Sequence, residues 1–134
     1  MKLVSVYYWP GAFELLYELL RQRTPEQSIS HRSMPLWSEH CQFVARRPYL
    51  DWRVIVDNGT ALGAVYLTHH GELGVSILQQ FRRQGWARKA LDKLMRLHPG
   101  ERFLANINPA NEASIALFRS LGFGGPIQIT LEKP

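Results

Sequence analysis

The residues best suited to chemistry form a basic, glycine-containing segment at positions 78–89, with the sequence LQQFRRQGWARK. A strand-like apolar run ends in this segment and a helix-like run begins, so the first helical amides have no partner inside the helix. The helix dipole adds partial positive charge there, and Gly85 has no side chain to hold an anion away from the backbone. Four cations flank these amides: Arg82, Arg83, Arg88 and Lys89. The segment therefore predicts a binding site for a phosphate or diphosphate.

The same residues also fit a plain helix with a glycine near its start and a solvated basic face. The segment lacks the Gly-Lys-Ser/Thr ending of a Walker loop and the three glycines of a dinucleotide-binding loop. The charge distribution favours a bound anion. The formal charge of the 134-residue chain is +5, and residues 82–102 carry seven basic and two acidic residues, whereas the rest carries nine of each. Charge concentrated in one segment indicates one anionic ligand rather than the broad basic face of a nucleic-acid coat.

Composition predicts one ordinary folded domain over residues 1–134. Apolar residues make up 46% of the chain and charged residues 20%. The longest apolar run, residues 62–67, is far shorter than the roughly 18 residues that span a bilayer. No cleavage-site pattern follows the N-terminal apolar stretch, so we expect no signal peptide. The single cysteine, Cys41, excludes an intramolecular disulfide. We therefore expect a cytoplasmic protein with no membrane partner.

Apolar periodicity predicts the elements that position the basic segment. Asn58-Gly59 is a strong hairpin turn, and Asn111 is a favourable helix N-cap. The order is β-α-α-β-β-β-α-β-α-β, which implies an antiparallel meander beside a parallel strand-helix-strand unit. The predicted fold class is therefore α/β with a mixed sheet. Strands are predicted at residues 2–9, 53–56, 61–68, 72–78, 102–107 and 126–131, and helices at 12–23, from about Pro35, at 86–97 and at 111–121.

Two motifs resemble the GNAT superfamily of acyl-CoA N-acyltransferases. Residues 82–87 (RRQGWA) match its Q/R-x-x-G-x-G/A signature, and residues 111–123 (NEASIALFRSLGF) are similar to its N-x-x-A/S-x-x-L-Y/F-x-x-x-G-F ending. Residues 71–75 (GELGV) resemble the start of the fourth strand in ribosomal-protein N-terminal acetyltransferases. The resemblance implies a twisted mixed sheet whose fourth and fifth strands are splayed, flanked by four helices.

The resemblance also implies that acetyl-CoA is a cosubstrate and lies between the splayed strands. The strand backbone would bind the pantetheine arm, and the amides of the basic segment would bind the diphosphate. For Asn111, simple N-capping is the alternative role. No spacing of His, Cys, Asp and Glu predicts a metal site. The predicted cofactor-binding residues are Val75, Ser76, Ile77, Arg82, Arg83, Gln84, Gly85, Trp86, Ala87, Arg88, Asn106, Asn111 and Phe118.

Direct acyl transfer needs a base for the acceptor amine and an acid for the leaving thiolate. The resemblance makes Glu72 the leading base, with a solubilising strand-edge acid as the alternative. The family often uses a tyrosine on the last helix as the acid, but that position is Phe118, which has no proton to donate. Ser114, four residues earlier on the same helix face, is the predicted substitute. The alternatives are water as the acid and a purely local hydrogen bond for Ser114.

Histidines compete with Glu72 for the role of base, because their ordinary pKa near 6.5 suits it. His31 and His40 lie near the helices that the resemblance assigns to the acceptor site. His69 and His70 are typical of a turn. Cys41 has no neighbouring motif and predicts an inert thiol.

The sequence therefore predicts an acetyltransferase that moves an acetyl group from acetyl-CoA to a primary amine. The acceptor class stays open between a small metabolite, an amino sugar, a peptide N-terminus and an amine on a nucleotide or nucleic acid. Phe118 keeps open the alternative of a CoA-binding module with little or no turnover. A small basic nucleic-acid-binding protein is the third alternative. Monomer and homodimer both stay open, because an exposed strand edge invites pairing.

Overall fold

A computed structural model describes residues 1–24 and 33–134. In these residues five strands form one sheet in the order β1-β2-β3-β4-β5. The first four strands are antiparallel neighbours, and β4 pairs with β5 in parallel. The strands are β1 (Lys2–Ser5), β2 (Asp51–Asp57), β3 (Thr60–Leu67), β4 (Glu72–Ile77) and β5 (Leu104–Ala105). The α-helices are α1 (Ala12–Arg21), α2 (Trp37–Ala45), α3 (Trp86–Leu97) and α4 (Glu112–Ser120). The predicted mixed sheet with four helices is confirmed.

The hairpin between β2 and β3 has the predicted turn. Asn58 and Gly59 both have positive φ angles, 49° and 76°. A two-residue loop with two left-handed residues matches the right-handed twist of the paired strands, which explains the Asn-Gly pair.

Helices cover both faces of the sheet because neighbouring strand residues point to opposite sides. Val54 packs in a core with residues of α1 and α2, such as Leu16 and Val44. Ile55, the next residue, packs in a second core with Leu91 of α3 and with α4. We call these the α1/α2 face and the α3/α4 face of the sheet.

β2 extends beyond its predicted bounds of 53–56, and β3 and β4 differ by one residue at their ends. Three other predicted strands are much shorter or absent. β1 ends at Ser5 because the chain turns there, with the Tyr8 amide donating to the Ser5 carbonyl at 3.0 Å. β5 has two residues instead of the predicted six. No strand forms at residues 126–131, so that prediction is wrong. Alternating apolar residues are present there, but their side chains face solvent: Ile129 is 78% exposed and Leu131 is 89% exposed.

In the described parts of the chain, no helix combines the length and apolar character needed to cross a membrane.

Candidate functional site

β4 and β5 part after two residue pairs, Glu72 with Leu104 and Leu73 with Ala105. Beyond them, β4 continues to Ile77 while β5 has ended. The Thr68 amide donates to the Glu72 carbonyl at 2.9 Å, so the even-numbered residues of β4 direct their backbone groups to β3. The odd-numbered residues therefore direct theirs the other way. Val75 and Ile77 present backbone groups to the gap, and the predicted divergence of the fourth and fifth strands is confirmed.

The basic segment follows β4 and closes one end of this gap. After a 3-10 helix at Gln79–Phe81, the Arg82 Nε donates to the Ile77 carbonyl at 3.0 Å. The Arg82 side chain thus folds back onto the end of β4 on the gap side. Arg83, exposed and with a φ of 62°, lies in the left-handed region. Gln84 is also exposed, and its Oε1 accepts from the Trp86 Nε1 at 3.1 Å.

Gly85 is the N-cap residue before α3 and has a left-handed conformation with a φ of 82°, and no side chain caps the helix there. The first amide bonded inside α3 is that of Lys89, which donates to the Gly85 carbonyl at 3.2 Å. The three preceding amides, of Trp86, Ala87 and Arg88, therefore point out of the helix start. A Cβ added at Gly85 would meet nothing within 4 Å, so the space in front of these amides is open.

The charges at this helix start face solvent. Arg83, Arg88 and Lys89 are exposed, and the Lys89 Nζ lies 4.9 Å from the centre of the Trp86 ring. Three outward amides with exposed cations beside them fit a phosphate or diphosphate, because helix dipole and side-chain charge act in the same direction.

Glu72, the predicted base, lies half-buried at the start of β4. Its Oε1 accepts from the Thr68 Oγ1 at 3.3 Å, and its Oε2 accepts from the Asn106 Nδ2. The Glu72 amide also donates to the Thr68 Oγ1 at 3.0 Å. The structure therefore brings two predicted site residues, Glu72 and Asn106, into contact across the parting strands. The carboxylate is held by two side chains, which a merely solubilising acid does not require.

α4 begins as predicted, with the Asn111 Oδ1 accepting from the Ser114 amide at 3.2 Å. The capping role of Asn111 is confirmed, and its contact with a cosubstrate stays a prediction. The Ser114 side chain is half-buried in the first turn. Phe118 is 5% exposed and packs edge-on against Phe123, with ring centres 5.1 Å apart. In this protein the position of the family tyrosine is occupied by a core ring.

Three of the competing histidines lie in the described residues, and the side-chain hydrogen bonds of Glu72 there go to Thr68 and Asn106 rather than to any of the three. His40 is 3% exposed, and its Nε2 lies 2.9 Å from the Phe13 carbonyl, which ties α2 to α1. His69 and His70 are exposed in the β3–β4 turn. His31 lies outside the described residues. Among residues 1–24 and 33–134, no three His, Cys, Asp or Glu side chains are grouped to hold a metal ion.

Tyr66 is a candidate site residue that the sequence did not reveal. Its ring packs over Gly74 of β4 and stacks on Tyr49, with centres 4.1 Å apart and planes 8° apart. Burial raises the pKa of Tyr66 above its ordinary value; Arg23 opposes this and Glu72 adds to it. Burial, followed by the neighbouring Tyr66, also raises the pKa of Tyr49. Both phenols therefore keep their protons at neutral pH. The sequence feature that could have indicated Tyr66 is the pairing of a glycine of β4, Gly74, with this aromatic residue of β3.

Comparison with known proteins identifies the family. The model of the acetyltransferase (GNAT) family matches residues 13–123, most of the chain. The chain belongs to the GNAT acetyltransferase family. Its GNAT-like fold is shared by solved structures. Ribosomal-protein-alanine N-acetyltransferase from Brucella melitensis aligns with a TM-score of 0.66 and 21% identity, over 90% of this chain and 82% of that one. Comparison with curated proteins finds no match.

Two further solved structures that share the fold contain acetyl-CoA. A putative acetyltransferase from Salmonella typhimurium, solved with its cofactor acetyl-CoA, aligns with a TM-score of 0.68 and 20% identity, over 91% of this chain and 77% of that one. Phosphinothricin acetyltransferase from Sinorhizobium meliloti, in complex with acetyl-CoA, aligns with a TM-score of 0.66 and 19% identity, over 90% of this chain and 72% of that one. Identities this low establish the shared fold, and the acceptor of this GNAT protein does not follow from them.

Proposed function

We propose that this GNAT protein transfers an acetyl group from acetyl-CoA to a primary amine by direct attack of the amine on the thioester. The observation that carries the proposal is the gap between β4 and β5, which leads to the uncapped start of α3. Acetyl-CoA is a thioester on an amide-containing arm that ends in a diphosphate. The gap offers unpaired backbone groups to amides, and the helix start offers amides and cations to phosphates. The order of these binding groups along the protein, first the gap and then the helix start, matches the order of the arm and the diphosphate in acetyl-CoA.

Two groups of residues would bind acetyl-CoA, one at its diphosphate and one along its arm. The α3 amides with Arg83 and Arg88 would hold the diphosphate, and Gly85 keeps the approach open. The backbone of Val75 and Ile77 would hold the arm. The remaining predicted contacts are those of Ser76, whose backbone pairs with β3, and of Arg82, Gln84, Asn106, Asn111 and Phe118. We keep each as a proposal.

We propose Glu72 as the base that accepts the proton of the amine, directly or through a water molecule. Thr68 and Asn106 orient its carboxylate, and a carboxylate also attracts a cationic amine before deprotonation. Ser114 is the acid that the family resemblance supplies for the leaving thiolate, and Tyr66 is a second candidate, argued below. A CoA-binding module with little turnover is the alternative, which Phe118 favours because its buried ring has no proton to give.

The acceptor is best sought among chemically diverse amines. The panel includes a peptide with an N-terminal alanine, phosphinothricin, a polyamine, an amino sugar and a nucleotide with an exocyclic amine. The release of free CoA thiol reports transfer to each of them. An amine that releases thiol faster than water does, with the acetylated product seen by mass spectrometry, supports the enzyme. Thiol release no faster than in water for every amine, together with tight CoA binding, supports the binding module.

A thermal-shift titration tests the cosubstrate independently of the acceptor. Ligands that bind only the folded state raise the unfolding temperature with concentration, by about 2.7 kcal/mol of stability at a hundred times Kd. We expect acetyl-CoA and CoA to stabilise the protein and duplex DNA to have no comparable effect. If duplex DNA stabilised the protein and neither acetyl-CoA nor CoA did, the proposal would be wrong and the protein would be a nucleic-acid-binding protein.

A further inference from the structure

The Tyr66 hydroxyl lies over β4 where the strand faces the gap. A Cβ built at Gly74 would collide with the Cζ, Cε1 and Oη atoms of Tyr66, so the absence of a side chain at Gly74 admits the phenol. Gly74 follows Leu73, which forms the last pair with β5, and precedes Val75, the first residue with unpaired backbone groups. The hydroxyl is thus located at the closed end of the gap.

An arm in the gap must end near this point. From Ile77, next to the basic segment, to Gly74 is three residues, or about 10 Å of strand. Beyond Leu73 the gap is closed by the pairing with β5. The reactive end of a molecule that enters from the basic segment therefore has to leave the gap on one face of the sheet.

Beside β4, the side chains on one face of the sheet are apolar, whereas the other face offers polar groups. On the α3/α4 face, Leu73, Val75 and Ile77 pack into the second core with Leu91 and Phe118. On the α1/α2 face, Gly74 has no side chain, and the neighbouring groups are the Tyr66 phenol and the Glu72 carboxylate. The thioester and the amine would therefore meet between Tyr66 and Glu72.

We propose that the Tyr66 hydroxyl donates a proton to the sulfur of the leaving CoA thiolate. Phe118 cannot take this role of acid because its ring has no proton to donate. The proposal rests on the proposed function, because it needs acetyl-CoA in the gap. Tyr66 is then a catalytic residue, and Gly74 is the residue that positions it.

The proton balance closes between the two side chains. The amine first loses its ammonium proton to solvent, and its uncharged nitrogen then forms a bond to the carbonyl carbon while the carbon–sulfur bond breaks and its electron pair goes to sulfur. Tyr66 gives its hydroxyl proton to that sulfur, and Glu72 takes the proton that the nitrogen loses as the amide forms. Glu72 then returns its proton to the Tyr66 phenolate. The products are an N-acetyl amine and a free thiol, with both residues in their starting states.

The surroundings of Tyr66 fit a donor. Its titratable and charged neighbours are Tyr49, Arg23 and Glu72. Burial raises the pKa of Tyr66, so the phenol is protonated before the reaction, and the positive charge of Arg23 favours the transient phenolate. Ser114, by contrast, belongs to α4, whose Phe118 packs on the α3/α4 face, the opposite face of the sheet from Tyr66.

Tyr66→Phe tests the proposal because it removes the hydroxyl and keeps the stacked ring. Cys41→Ser serves as the background, so that CoA supplies the thiol that is titrated. The first measurement is the pKa of the thiol of bound CoA, from the ultraviolet absorbance of the thiolate. A hydroxyl that donates to sulfur stabilises the thiolate, so we expect Tyr66→Phe to raise the thiol pKa by about one unit. The second is kcat with the best amine of the panel, expected to fall about 10²-fold.

Tyr7→Phe is the matched control. It removes a phenol hydroxyl that donates to the Val44 carbonyl at 2.8 Å, on the same face of the sheet, and should leave the thiol pKa unchanged. An equal thiol pKa in Tyr66→Phe and wild type, with CoA bound to both, would overturn the role of Tyr66 and leave the proposed function intact. A shift in Ser114→Ala instead of Tyr66→Phe would also overturn it. Failure of the wild-type protein to bind CoA would overturn both proposals.

Discussion

The Glu72 carboxylate accepts a hydrogen bond from the Asn106 amide across the point where β4 and β5 part. The bond joins the strand that would bind the cosubstrate arm to the segment that leaves β5. A base oriented in this way is fixed relative to the gap, since Thr68 holds its other oxygen. The position of the proposed base therefore depends on how β4 and β5 pair and part.

Glu72→Gln should lower kcat about 10²–10⁴-fold, because the amide cannot accept the proton of the amine. The affinity for acetyl-CoA should change little, since the carboxylate lies outside the proposed diphosphate site. Steady-state kinetics and calorimetric titration measure the two quantities. Glu101→Gln, which neutralises an exposed acid after α3, is the control. A Glu72→Gln protein with the wild-type kcat at neutral pH would show that the base is elsewhere.

Gly85→Glu should abolish CoA binding. The substitution puts a carboxylate in front of the α3 amides and a side chain at a φ of 82°, which strains the backbone by about 1–2 kcal/mol. Gly100→Glu separates the two effects, because Gly100 has a φ of 85° and open space but follows the end of α3. Calorimetry should find CoA binding in Gly100→Glu and none in Gly85→Glu. Equal CoA affinity in the two variants would contradict the diphosphate site.

Gly74→Ala should displace the Tyr66 ring, because the added Cβ would overlap its atoms. Overpacking of this kind costs about 1–3 kcal/mol of the free energy of unfolding. Urea denaturation measures the loss, and a double variant with Tyr66→Leu should recover part of it. If the losses from the two substitutions simply add, the ring and Gly74 are not in the close contact described.

His40→Ala should destabilise the fold by about 1–3 kcal/mol, since it removes the bond to the Phe13 carbonyl and leaves a buried space. The turnover of the folded protein should stay near wild type, because His40 ties two helices and has no part in the proposed proton transfers. Measuring the rate of thiol release well below the melting temperature of the variant checks its turnover. A large drop in kcat in fully folded His40→Ala protein would make His40 a candidate for the catalytic base again.

The sequence predicted the elements best where periodicity and end signals agree. α3 has the predicted bounds because an apolar stripe is delimited by Gly85 and Pro99-Gly100. The strand predicted at residues 2–9 is shorter in the structure because aromatic residues that favour strands occupy a turn after Ser5. The last predicted strand has the alternating pattern but no neighbour to pair with.

The candidate site was predictable where it is local in sequence and obscure where it is not. The basic segment and the Asn111 cap follow from neighbouring residues. The contact between Glu72 and Asn106 spans 34 positions and depends on the parallel register of β4 with β5. Tyr66 was missed because only the pairing of β3 with β4 brings its ring over Gly74.

The one-sided pairing of β4 divides its amides into two populations. The amides of Gly74 and Ser76 are bonded to β3 and should exchange their hydrogens with solvent slowly, whereas those of Val75 and Ile77 should exchange fast. Protection would thus alternate from one residue to the next within a single strand. A bound CoA arm would act as the missing neighbour of β4 and make all four amides slow, and exchange rates read by NMR would reveal this without any knowledge of the acceptor.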